Sequence, residues 1–242
     1  MYICSRKREV CEATAAEVNA VIQRARVPGS GRLVVLPPLD LAKHGTIGKQ
    51  MTALLGAIAA HQGRSEPLLH GVVNNSGITW GQPAEAYDPR GFARVMTVNV
   101  EGLYYVTMAC LPALRAAAND KSPATVVNIG SVLGIGVSLA PTYAYDASKA
   151  AVHSLTRKLA RLLGPEKITV NAIAPGLVPT DMSKGLEKYS DPDSLYCSSP
   201  LGRPGDHDAM AGAIKYLLSS AGAWVTGVVL PVDGGALLNA SL

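Results

Sequence analysis

A chain of 242 residues with 48% hydrophobic content can bury a sizeable core, and no Pro/Gly/Ser-rich linker divides it, so one domain over residues 1–242 is expected. The net charge of +4 is mild and the basic residues are scattered apart from Arg6, Lys7 and Arg8, which argues against a nucleic-acid partner. Apolar runs stop well short of the about 18 residues of a membrane span, and no basic-apolar-cleavage signal precedes the first strand, so no membrane association and a cytoplasmic setting are expected. Cys4, Cys11, Cys110 and Cys197 form no C-x-x-C pair and read as free thiols of a reducing compartment. Histidines 44, 61, 70, 153 and 207 match no ligand spacing, so no metal site is expected.

Strands and helices alternate along the chain. Residues 1–4 form a short apolar strand that leads directly into Ser5 and Arg6. Residues 9–26 read as a helix with Val18, Val21, Ile22 and Ala25 on one face, stopped by Pro28 and Gly29. A strand at 33–36 precedes Asp40 and Leu41. Ile47, Met51, Leu54, Leu55 and Ile58 then recur at helical spacing, and 68–73 is a third strand. A long helix is expected over 88–118, with a bend or end near Pro112. The strand at 126–129 breaks at Gly130 and Ser131, and a helix over 141–163 follows. Residues 168–173 form another strand, 208–219 a helix and 224–231 the last strand.

Strands separated by helices of this length imply crossover connections and a parallel sheet with helices on both faces. Ligands of such sheets bind beyond the carboxyl ends of the strands. That rule puts Asp40, Asn75, Ser76, Gly77, Ser131, Pro175 and Gly176 along one rim, because each follows an apolar strand.

Tyr145 and Lys149 are four residues apart, so one helical turn stacks them on a common face. An ammonium beside a phenol favours the phenolate and lowers a pKa that starts near 10, making the tyrosine a usable acid or base. Ser131 can reach the same point and hold a carbonyl oxygen. Together the three suggest carbonyl reduction or alcohol oxidation. Tyr-x-x-x-Lys alone is a weak signal in a chain with nine tyrosines, where a surface lysine one turn from a half-buried tyrosine explains it as well.

The remaining motifs, in order, are Asn74-Asn75-Ser76-Gly77, Val98-Asn99-Val100 and Asn171-Ala172-Ile173-Ala174-Pro175-Gly176. With Ser131, Tyr145 and Lys149 they resemble the short-chain dehydrogenase/reductase family from Met1 to Leu242. The resemblance implies a Rossmann-like doubly wound α/β fold. It implies Tyr145 as proton donor, Lys149 as the group that lowers its pKa and bonds the nicotinamide ribose, and Ser131 as the residue orienting the carbonyl. Asn99 would kink its helix and hold a water in a relay to Lys149. Asn75, Ser76 and Gly77 would approach the adenine ribose, where the family's alanine is replaced by Ser76. Asp40 would bond the adenine amino group, with Leu41 packing beside the ring; a plainer role for Asp40 is capping the next helix. Ser5 and Arg6 suit a 2′-phosphate, which favours NADP(H) over NAD. Pro175, Gly176, Val178 and Thr180 resemble the loop that grips the nicotinamide carboxamide, and residues 181–200 resemble a substrate lid over a ketone or 3-oxoacyl group. Family members assemble as homodimers or homotetramers through the faces of the two long helices.

The family pattern normally opens with a strand and a T-G-x-x-x-G-I-G loop that receives the cofactor pyrophosphate. Here the first strand aligns with the family's second, so the first strand-loop-helix unit is missing. Its strand would lie mid-sheet, between the strands ending at residues 4 and 73, and its absence leaves backbone groups to be closed by re-pairing, another chain or water. A protein that lost cofactor chemistry and acts in binding or assembly is therefore an alternative. A hydrolase is a poorer one, because Ser131 lies outside a G-x-S-x-G elbow and no histidine is placed by motif.

Overall fold

The computed structural model describes residues 1–25, 31–137, 139–184 and 199–239. Strand β1 (Tyr2–Ile3) is followed by helix α1 (Arg8–Ala25), strand β2 (Val34–Val35), helix α2 (Ile47–His61) and strand β3 (Gly71–Asn74). Helices α3 (Pro89–Met96) and α4 (Leu103–Ala117) precede strand β4 (Ala124–Ile129) and helix α5 (Tyr143–Leu163). Strand β5 (Ile168–Pro175), helix α6 (His207–Leu218) and strand β6 (Val229–Val232) complete the succession. Every strand pairing is parallel. That follows from helical crossovers, which return each strand in the same direction.

Strands β4 and β5 form the centre. Their residues 124–128 and 168–174 are buried throughout, as expected where helices cover both faces. The registers Asn74↔Asn128 and Ile129↔Ile173 bring the carboxyl ends of β3, β4 and β5 level, so the segments holding Gly77, Ser131 and Gly176 leave from one rim. A buried polar chain fixes this alignment: Asn74 donates to Thr107 Oγ1 (2.9 Å) and Asn128 Oδ1 (2.8 Å), while Asn128 donates to Thr156 Oγ1 (2.9 Å). Each amide is partnered, as burial requires.

The sheet is interrupted. Strands β1 and β2 pair only with each other, and β3–β4–β5–β6 form a separate sheet. Of the expected ways to close the mid-sheet gap, re-pairing does not occur between the described strands. The two parts are joined by packing on one face, where Tyr2, Cys4 and Leu36 share a core with Met51, Leu114, Val126 and Val170. The other face is thinly covered at the gap: Val73 is 38% exposed, whereas Val127, its register partner, is fully buried.

The apolar face of α1 is also rotated from the expected one. Cys11 and Ala15 are its buried residues, and Val21 is 52% exposed. Helix α1 meets β2, and Asn19 fixes that contact by donating to the Leu33 carbonyl (3.0 Å) and accepting from its amide (2.8 Å).

The long helix expected over 88–118 is present in three parts. Asp88 caps it by accepting from the Arg90 amide, a π-helical stretch occupies Thr97–Gly102, and α4 then runs to Ala117. Pro112 lies inside α4 without ending it. The irregular turn comes earlier, around Asn99, whose side chain bonds outside the helix to Ile78 and Ser148.

Thr125 donates to the His70 carbonyl, and alternation along β3 turns the Val73 amide toward the gap. By native-state hydrogen exchange, Val73 should exchange about 100-fold faster than the amides of β4. Equal protection would mean that the gap is closed in solution.

Candidate active site

Ser131 follows β4 in extended backbone, and its buried hydroxyl accepts from the Leu133 amide (3.2 Å). The same hydroxyl bonds the Tyr145 phenol. Three contacts steady the start of α5. The Gln82 amide donates to the Pro141 carbonyl (3.1 Å), the Ala144 amide to Tyr87 Oη (3.4 Å), and Thr142 Oγ1 to Asp146 Oδ1 (2.9 Å). One turn beyond Tyr145, Lys149 is buried, donates to the Ile129 carbonyl (2.8 Å) and holds Nζ 5.4 Å from the Tyr145 ring centre. Serine, phenol and ammonium therefore converge at the end of β4.

The electrostatics differ from the expectation. Burial pushes the Tyr145 phenol above its ordinary value, and the Ser131 hydrogen bond offsets this only in part. Burial also lowers Lys149 from 10.5 to about 8. With its Nζ turned to the Ile129 carbonyl, Lys149 is not a source of the depressed phenol pKa that the helical spacing suggested. Both groups sit in a low-dielectric recess that favours their neutral forms.

Asn99 is buried and its amide is fully engaged. It accepts from the Ile78 amide (2.8 Å) and donates to the Ile78 carbonyl (2.9 Å) and Ser148 Oγ (2.9 Å). Its contacts therefore run to Ser148 and the β3 loop. Gly77 completes the recess: a Cβ there would make ordinary contact with Asn99 Oδ1 at 3.4 Å and with Lys149 Nζ at 3.5 Å.

A cavity of about 230 Å³ opens between the ends of β1 and β3. It is lined by Ser5, Arg6, Asp40, Leu41, Ser76 and Gly77, all expected at a cofactor, and also by Lys7, Arg94 and Val98, to which the sequence assigns no cofactor contact. Asn75, exposed beside it, is not part of the lining. Asp40 does not cap α2; its Oδ1 accepts from the Ala42 amide (3.1 Å) and so shapes the rim turn. Leu41 packs on the π-helical stretch, 3.0 Å from where a Cβ on Gly102 would lie. Ser5 Oγ is tied into its own turn by bonds with Lys7 and Cys11, whereas Arg6 is exposed at the mouth.

Pro175 ends β5 at the same rim. Gly176 passes so close to Asp233 that a Cβ would come within 2.7 Å of its backbone, and its amide donates to the Val232 carbonyl. Val178 packs against Gly205, while exposed Thr180 exchanges bonds with Ser183. Of the expected lid at 181–200, residues 185–198 lie outside the described residues, as does Cys197.

The donor set suits a dinucleotide at both ends. Arg6, Lys7 and Arg94 give three cations at the cavity, Asp40 offers an acceptor, and the buried ammonium of Lys149 has no carboxylate partner among the described residues. Residues 46–236 match the family model described as Enoyl-(Acyl carrier protein) reductase. The chain belongs to the short-chain dehydrogenase/reductase family. Among its relatives, the rhamnolipids biosynthesis 3-oxoacyl-[acyl-carrier-protein] reductase of Pseudomonas aeruginosa is 37% identical over 238 residues, covering 97% of this chain and 85% of the relative. A solved Pseudomonas aeruginosa RhlG/NADP active-site complex superposes with a TM-score of 0.83 at 36% identity, covering 97% of this chain and 85% of that one. The 3-ketoacyl-(acyl-carrier-protein) reductase of Brucella melitensis complexed with NADH gives 0.80 at 28% identity, covering 97% and 86%.

The lowered Lys149 pKa makes a stability prediction. Between about pH 8 and 10.5 the unfolded chain holds the proton that the folded chain has released, so this group raises stability as pH rises through that window. Lys149→Met should remove the rise. Urea unfolding should show the variant's stability relative to the parent falling by up to about 3 kcal/mol from pH 8 to 10.5. A pH-independent difference would contradict the buried, neutral-leaning ammonium.

Proposed function

We propose that this protein is a single-domain NADP(H)-dependent oxidoreductase that interconverts a carbonyl and an alcohol, with a ketone or 3-oxoacyl compound as substrate. The observation that carries the reading is the meeting of Ser131, Tyr145 and Lys149 at the end of β4, beside Gly77 and within reach of the cationic cavity. The family relatives named above, a 3-oxoacyl reductase and complexes with NADP and NADH, support the substrate class and the cofactor. A catalytically silent assembly protein is not favoured, since its relatives are reductases and Ser131, Tyr145 and Lys149 meet at one place. Nor is a hydrolase, because Ser131 faces a tyrosine and not an imidazole base.

In this reading the nicotinamide supplies the hydride when bound. Tyr145 gives its phenolic proton to the carbonyl oxygen, and Ser131 donates a hydrogen bond to the same oxygen as negative charge gathers there. A phenol kept protonated by burial is the correct starting form for the reductive direction. Lys149 stands next in line to pass a proton toward the phenol, and Asn99 with Ser148 holds the helix face that carries it. Arg6 and Arg94 would meet the 2′-phosphate at the mouth of the cavity, Asp40 the adenine, and the segment Pro175 to Thr180 the carboxamide.

Oligomers through α4 and α5 fit the exposed Tyr104, Tyr105 and Leu162 on those helices. The free thiols Cys4, Cys11 and Cys110 suit the reducing cytoplasm. Among the described residues, no helix is long and apolar enough to cross a membrane.

Tyr145→Phe should cut NADPH-dependent reduction of a 3-oxoacyl thioester by about 10³-fold while leaving cofactor affinity and thermal stability unchanged. Normal turnover by this variant would overturn the assignment. Arg6→Ala should weaken NADPH binding about tenfold and leave NADH binding unchanged. Equal loss for both cofactors would place Arg6 away from the 2′-phosphate.

A further inference from the structure

His153 is one helical turn beyond Lys149 and is used by none of the chemistry above, yet it is buried against the site from behind. Its ring lies beside both glycines that bracket Ser131. A Cβ on Gly130 would fall 2.2 Å from its Nε2, and a Cβ on Gly134 would fall 2.8 Å from its Cε1. Only residues without side chains let the imidazole fit there. Nε2 is a buried polar atom without a hydrogen-bond partner. The hydrogen bond to Gly134 is therefore made by Nδ1, and because the Gly134 amide already donates to the Ser131 carbonyl, Nδ1 donates to the Gly134 carbonyl. Charged neighbours on α5 are Lys149 and Arg157, both cationic, while β5 and the turn from Gly130 to Gly134 carry no titratable group facing the ring. Burial and these two cations keep the imidazole neutral, with one proton to give and that proton committed to the turn.

We propose that His153 is a positioning residue for Ser131: its ring occupies the space left by Gly130 and Gly134, and its Nδ1–H bond to Gly134 fixes the turn that aims the serine hydroxyl at Tyr145. Apart from Tyr145, the partner of the Ser131 hydroxyl among the described residues is Leu133, within that same turn. A loosened turn would misplace the oxygen that must meet the developing oxyanion, and displacement of a reacting group costs turnover more than binding.

The inference rests on the reductase reading, and two variants separate the possibilities. His153→Leu keeps comparable apolar volume but loses the donor, while His153→Asn keeps an amide N–H at the position of Nδ1, where it can reach Gly134. In NADPH-dependent reduction, His153→Leu should lower kcat about tenfold with KM for NADPH unchanged, and His153→Asn should restore kcat to within about twofold of the parent. A fall in thermal stability with unchanged kcat in the Leu variant, or no rescue by Asn, would reduce His153 to a packing residue and overturn the proposal. If the parent chain itself shows no turnover, the reductase reading is what fails. The positioning claim is then read from the amide resonances of Ser131 and Gly134 in 15N-labelled protein, which should move in His153→Leu and return in His153→Asn. Resonances that stay in place in the Leu variant would overturn it.

Discussion

An ammonium buried against a backbone carbonyl governs this molecule. Lys149 gives its hydrogen bond to Ile129 at the end of the central strand, and its desolvation is severe enough to bring its pKa to about 8. Such a group is tolerated only where the surroundings hold it rigidly, and the surroundings here are unusually specific. Gly77 keeps space open above it, Asn99 and Ser148 brace the helix face beside it, and the chain Asn74–Asn128–Thr156 pins strand to helix behind it. The polar core of the protein is thus the scaffold of the site.

The same burial explains why the simplest electrostatic picture fails for the free protein. Spacing on a helix shows that Tyr145 and Lys149 share a face, but not where the lysine points or how dry the recess is. Tyr145 begins as a protonated phenol hydrogen-bonded to Ser131, a form suited to giving a proton away. The arrangement is poised for reduction by geometry, with the proton already on the donor.

Much of this was legible in the sequence for identifiable reasons. Short apolar runs at 126–129 and 168–173, set between helical patterns, read as buried parallel strands, and residues directly after such strands share a rim. The rim residues Ser5, Arg6, Asp40, Leu41, Ser76 and Gly77 do line one cavity. Arg94 was not legible, because an exposed arginine inside a helix carries no motif; only the packing of α3 beside the β3 loop brings it there. His153 was equally hidden, although its spacing of four from Lys149 was a usable signal once Gly130 and Gly134 were recognised as the space it fills. The apolar stripe of α1 does not show how much of it is covered: that helix meets mainly β2, so Cys11 and Ala15 are buried while Val21 stays exposed. The π-helical turn around Asn99 was partly anticipated by the asparagine, and Pro112 proved no barrier to α4.

The interrupted sheet is the feature most at odds with the completeness of the site. Among the described residues two parallel edges, on β1 and β3, stand unpaired on either side of the cavity, and a shared core on one face joins them. For the site to work, this arrangement must still receive a dinucleotide across the ends of β1 and β3. The direct test is titration of the purified 242-residue chain with NADPH, followed by cofactor fluorescence and thermal shift. Saturable binding in the micromolar range, with a raised melting temperature, is the predicted result. A folded chain that gives neither response would contradict it.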